Sequence, residues 1–109
     1  MTTVKTMIKI ANDFYDAPTG RFPADGPYNG ERFRNEYLIP ALKKDGRILI
    51  DLDGTDGYGS SFLEESFGGL VRQCGYSSEE LHERLQLKSE EDESFIEEIW
   101  QYIDEAKGS

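Results

Sequence analysis

Apolar and polar positions alternate with two periods along this chain, and the changes of period divide it into elements. From Thr3 to Ala11 the period is two: Val4, Thr6, Ile8 and Ile10 fall on one side, Lys5, Met7, Lys9 and Ala11 on the other. That predicts a half-buried strand. From Gly30 to Lys44 the period is helical, with Phe33, Tyr37, Leu38, Ala41 and Leu42 in one stripe. Lys43 and Lys44 before Gly46 suit its C-terminal end. Pro40 must kink this helix or restart it as the first residue of a second turn, because proline donates no amide hydrogen. Arg47 to Asp53, entered from Lys44-Asp45-Gly46 and rich in Ile48, Leu49, Ile50 and Leu52, reads as a second strand. Phe62, Leu63, Phe67, Leu70, Val71 and Cys74 then recur at helical spacing as far as Gly75. Ser77-Ser78-Glu79-Glu80 opens a short helix through Leu81 and Glu83, with Ser77 and Glu80 fitting a capping box. Leu85 to Ser89 predicts a strand parallel to the preceding one across a right-handed helical crossover. After the acidic lead-in Glu90 to Ser94, the residues Phe95, Ile96, Ile99, Trp100, Ile103 and Ala106 define a closing amphipathic helix.

Asn12 to Gly30 is rich in turn residues, and only Gly20-Arg21-Phe22 could add a strand there, as a hairpin partner to the first. The fold class is therefore α/β: one domain over residues 1–109, a small mixed β-sheet of about four strands with helices packed on it.

Charge narrows the partners. A net charge of −10 argues against nucleic acid and against anionic membrane surfaces, and favours a basic protein partner or simply solubility. Cys74 is the sole cysteine, so an internal disulfide or a cysteine metal cluster is excluded; its spacing predicts a small buried hydrophobe. No apolar run approaches the ~18 residues of a membrane span. A cytoplasmic protein without a cofactor is the expectation.

The chemistry concentrates between the second strand and the helix after it. Asp53 to Gly59 cannot be regular structure, because Gly54, Gly57 and Gly59 fall within it. Ser61-Phe62-Leu63-Glu64 then fits a capping box. Strand, glycine loop and helix start together make the carboxyl end of a strand, where α/β sheets usually bind ligands and partners. Within it, Asp51-Leu52-Asp53-Gly54-Thr55 resembles the first motif of the haloacid-dehalogenase phosphatases. That resemblance implies Asp51 as nucleophile and Asp53 as general acid, both on Mg²⁺. Such a fold also needs later strands presenting a Ser or Thr, a Lys and a second acidic pair. About half the chain follows Thr55, and Asp92 there lacks a glycine-aspartate context. The preferred reading is that Asp51 and Asp53 accept hydrogen bonds from amides of the glycine turn. Asp51, Asp53 and Asp56 do not keep the spacing of a calcium-binding loop. Ser60 and Ser61 present hydroxyls at the helix start, and a phosphate on Ser60 would face helix amides and the positive end of the dipole. His82, the only histidine, lies among Glu79, Glu80, Glu83 and Arg84 and reads as a solvated helix residue, while Trp100 reads as core.

The central stretch also resembles the STAS domains of anti-sigma-factor antagonists, through Ile48-Leu49-Ile50-Asp51-Leu52 and Ser60-Ser61-Phe62-Leu63. More of the chain, roughly residues 20 to 103, resembles the STAS-like domain family of unknown function. The motifs are Gly20-Arg21-Phe22, Gly26-Pro27, Gly30-Glu31-Arg32-Phe33-Arg34, Pro40-Ala41-Leu42 and Tyr58-Gly59-Ser60-Ser61-Phe62-Leu63-Glu64-Glu65. The resemblance implies a STAS-like fold and a non-catalytic regulatory domain, monomeric or homodimeric, with a protein partner such as an anti-sigma-type ATPase of the histidine-kinase class. It places Ser60 at the phosphoserine position, with Gly59 where those antagonists carry Asp and Phe62 where they carry Gly. The docking surface is read as Gly57, Tyr58, Gly59, Ser60, Ser61, Phe62 and Glu65, with Ser60 or Ser61 as a switch and Tyr58 and Phe62 as aromatic anchors, the alternative for Phe62 being a place in the core.

Overall fold

A computed structural model describes residues 3–106. Three strands, β1 (Val4–Lys9), β2 (Arg47–Asp51) and β3 (Leu85–Lys88), form one sheet in the order β1-β2-β3, parallel throughout. Their register sets Ile8, Ile50 and Leu87 side by side. Helices α1 (30–42), α2 (60–72), α3 (Ser78–Arg84) and α4 (Ser94–Glu105) supply most of the rest of the core. Phe33 and Leu38 of α1, Phe62, Leu63, Phe67 and Leu70 of α2, Leu81 of α3, and Ile99 and Ile103 of α4 are fully buried. Each such side chain stabilises the fold by about 1.5–3 kcal/mol.

Both long helices widen into a π turn midway, at Arg34–Leu38 in α1 and Glu64–Gly68 in α2. In α1 the cause is Pro40. Its ring would crowd the carbonyl four residues back and it donates no hydrogen bond. The wider turn before it, in which Ile39 N–H donates to the Arg34 carbonyl, absorbs that misfit, and a normal helix resumes over Ile39–Leu42. The two helices cross closely because glycine lies at the contact. A Cβ at Gly30 would come within 2.8 Å of the Phe62 carbonyl oxygen, and one at Gly69 would collide with the Arg34 guanidinium.

The first strand ends at Lys9, two residues short of the expected Ala11, because the chain turns at Ile10–Phe14 to bury Ile10 and Phe14. The second ends at Asp51, not Asp53. The expected strand at Gly20-Arg21-Phe22 is not one. Asp25 accepts from the Arg21 and Phe22 amides at 3.0 and 3.1 Å, while the carbonyls of Gly20 and Arg21 accept from the amides of Gly30 and Glu31, both at 2.9 Å. With those groups committed to a turn and to the start of α1, none is left for a ladder, and the sheet has three strands rather than about four. Cys74 lies past the last residue of α2 and is half-buried, not core. Trp100 is half-buried at the margin of the core. The exposed His82 ring stacks on it at 4.1 Å, while His82 Nε2 lies 2.8 Å from Asp104.

Candidate functional site

At the carboxyl end of β2, backbone and carboxylates knit the glycine loop to the chain after β3. Asp51 is 7% exposed. Its Oδ1 accepts from the Asp53 amide at 3.0 Å, and its Oδ2 lies 3.8 Å from Lys9 Nζ and 3.7 Å from Lys88 Nζ. Asp53 reaches across to accept from the amides of Glu90 and Glu91, each at 2.9 Å, and these bonds, Glu91 first, hold its carboxyl below the usual range. Glu91 returns the contact by accepting from the Gly54 amide at 2.6 Å, where a φ of +95° calls for glycine. The two acids thus brace a bend, as the preferred reading of them holds. The amides that Asp53 takes lie after β3, however, rather than in the glycine turn. Among the described residues no three His, Cys, Asp or Glu side chains cluster in a way that could hold a metal ion.

The loop is pinned at three further points. Asp56 N–H donates to the Asp16 carbonyl at 2.8 Å, Thr55 Oγ1 accepts from the Gly57 amide at 3.2 Å, and the Tyr58 hydroxyl donates to the Leu52 carbonyl at 2.7 Å. The Tyr58 ring packs edge-on against Phe95 and stacks on Phe62. Burial raises its phenol pKa well above the ordinary value. Tyr58 is therefore half-buried, its hydroxyl spent on its own backbone.

The start of α2 differs from the expectation. Gly59 is the N-cap and offers no side chain, so the capping box at Ser61 and Glu64 does not form. Ser60 and Ser61 are exposed. The Ser60 hydroxyl lies near the Tyr102 phenol. Tyr102 donates to Glu98 at 2.7 Å, and burial together with that carboxylate pushes its pKa up to about 12. Beside it, Glu64, Arg72, Tyr102, Glu105 and Ala106 line an open depression of about 480 Å³.

Two residues of the expected docking surface do not reach solvent. Phe62 is 0% exposed, its ring against Phe14, Phe33 and Tyr58. Glu65 is 1% exposed and pairs with Arg34 Nη1 at 2.6 Å, the same nitrogen donating to the Glu65 carbonyl at 2.8 Å. Helical geometry turns positions 62, 63, 65 and 66 inward together and leaves 60, 61 and 64 outward. Gly57, Tyr58, Gly59, Ser60 and Ser61 remain as accessible surface.

The sequence reading missed the ion network beneath this surface. Glu64 takes Arg21 Nη1 at 2.5 Å and Arg72 Nη1 at 2.6 Å, and both arginines also approach Glu65 at 3.5 Å. Burial pushes the Glu64 carboxyl up, but the hydrogen bonds from Arg72 and Arg21 outweigh it and its pKa falls below the usual range. A signal existed: Glu65 falls on the apolar stripe of its helix, and Arg34 directly follows the stripe residue Phe33. Buried charges are almost always paired, which would have matched them.

No helix of the described residues is long and apolar enough to cross a membrane. The family model for a STAS-like domain of unknown function matches residues 29–95, from the cap of α1 into the first turn of α4. No match is found among curated proteins or among solved structures.

Proposed function

The chain belongs to the STAS-like domain family of unknown function, and from that premise we propose that it is a non-catalytic regulatory module. It docks a protein partner through the loop and helix start at 57–61, in the cytoplasm, with Ser60 as a phosphorylation switch. The partner we infer is an ATPase of the histidine-kinase class that phosphorylates Ser60. The observation that carries this reading is the contrast at the start of α2. Ser60 and Ser61 stand exposed on a helix start with no side-chain cap, while the loop that delivers them is held from three sides by Asp53, Asp56 and Tyr58. A patch that keeps one shape before binding loses little entropy on docking. A phosphate on Ser60 would add up to two charges beside Glu64 and Glu98, on a surface already rich in carboxylates. That is a large local change without a change of fold.

The test is a pull-down from native lysate with the wild-type chain and with Ser60→Glu, alongside intact-mass analysis of the native protein. A partner bound differently by the two baits, and an added phosphate on Ser60, are expected. Identical capture by both baits, with Ser60 unmodified in every growth condition, overturns the switch.

A further inference from the structure

The sheet has a second face, which the helices leave open. Strand register places Met7, Leu49 and Gln86 side by side across its middle, and Lys9, Asp51 and Lys88 across its carboxyl end. At the other end Arg47 pairs with Val4, and Lys5 sits in the irregularity of β1 between Val4 and Thr6. Ile8, Ile48, Ile50 and Leu85 point the opposite way, into the core, and Leu49 does not join them. Met7 is 66% exposed. Four cations share this face with the single carboxylate of Asp51, on a chain whose net charge is −10. Asp53, next along the chain, adds one more negative charge at its rim, felt by Lys88 and Lys9. The Arg47 Nε is buried with no hydrogen-bond partner among the described residues.

An all-parallel sheet is almost always covered on both faces, and what covers a parallel sheet is helix. We propose that this face docks an acidic amphipathic helix of a protein partner, its apolar stripe on Met7 and Leu49 and its carboxylates toward Lys5, Arg47, Lys9 and Lys88. The dimensions suit one helix. Three strands about 4.8 Å apart give a strip roughly 10 Å wide, and two strand repeats of about 6.7 Å put the basic rows roughly 13 Å apart. That is a helix diameter across and a little over two helical turns along. This surface is distinct from the helix start at 57–61, and its fate does not depend on Ser60.

The probe is a synthetic helical peptide with leucine at helical spacing and glutamate elsewhere, titrated into the isotope-labelled chain and followed by backbone amide shifts. A control peptide carries lysine in place of every glutamate. Shifts centred on Met7, Leu49 and Gln86 are expected with the acidic peptide alone. Its affinity should weaken with added salt and fall about tenfold or more in Met7→Glu, an exposed site where the fold tolerates the change. Lys5→Glu should give the same direction of loss if Met7→Glu proves poorly folded. Absence of shifts on these strands, or equal binding of the lysine peptide, overturns the proposal. So does concentration-dependent dimerisation that Met7→Glu abolishes, which would assign the face to a second copy of the chain.

Discussion

The first two turns of α2 have two faces that differ in everything but their helix. Inward, Phe62 and Glu65 are sealed, the first among aromatic rings and the second against Arg34. Outward, Ser60 and Ser61 are open and Glu64 is held between Arg21 and Arg72. One turn of helix separates a charge that cannot be removed without harm from hydroxyls that the fold hardly uses. The inner face fixes where the helix sits, and the outer face is left free for recognition. Changes on the two should therefore separate in a stability measurement, and the size of the separation tests the division.

The largest effect is expected at Glu65. Glu65→Ala leaves the guanidinium of Arg34, itself 4% exposed, without its carboxylate. Removing one member of a buried pair costs about 3–5 kcal/mol, so chemical denaturation should show the midpoint falling sharply or the fold lost. The double change Arg34→Met with Glu65→Leu should recover most of that loss, because the penalty lies in the uncompensated charge. If Glu65→Ala is as stable as the wild type, the inner face does not hold the helix, and the contrast fails.

What the sequence made legible follows the same division. Periodicity located the strands and the four helices, because burial of Ile8, Ile50, Phe33, Phe67 and Ile103 repeats at the spacing their elements require. The helix start with Ser60 was legible too, since glycines before an apolar stripe leave few other places for a helix to begin. The depth of each residue was harder to read. Phe62 and Glu65 neighbour Ser61 in the chain, but they fall on the stripe of Phe67 and Leu70 and turn inward with it. The ion partners lie far apart in the chain: Arg34 is 31 residues from Glu65 and Arg21 is 43 from Glu64. The local pattern marks Glu65 and Arg34 as candidates for burial, but it carries no record of the pairing of Arg21 with Glu64. The Gly20-Arg21-Phe22 segment failed for a related reason, since Asp25 and the start of α1 compete for its hydrogen bonds. Glu91, which in sequence is only part of the acidic lead-in to α4, closes the clamp on Gly54.

A smaller effect is expected at the brace that positions the outer face. Asp53 accepts two amide bonds in the folded chain, so its folded pKa lies below its unfolded value, near 3.8. The sign follows directly. Its contribution is fully present above the unfolded value and is lost as pH falls through the folded one. Stability of the wild-type chain should therefore decline as the pH drops below about 4, and Asp53→Asn should be less stable at neutral pH while losing part of that decline. Denaturation midpoints across pH 2 to 7 check this. Identical pH profiles for both chains would mean that the clamp between the loop and the Glu90–Glu91 amides carries no weight.

The smallest effect on stability, and the sharpest test of the outer face, belongs to Ser60→Glu. A negative charge in the first turn of a helix is favoured by about 0.3–1 kcal/mol. Glu98 and Glu64 near Tyr102 oppose it, and surface changes of this kind usually stay within about 0.5 kcal/mol of the starting chain. The folded state should therefore accept the substitution with its denaturation midpoint almost unmoved. Whatever partner binding then changes in Ser60→Glu comes from the altered surface rather than from a damaged fold. A large loss of stability would mean that the hydroxyl facing Tyr102 belongs to the scaffold, and that the outer face is no freer than the inner one.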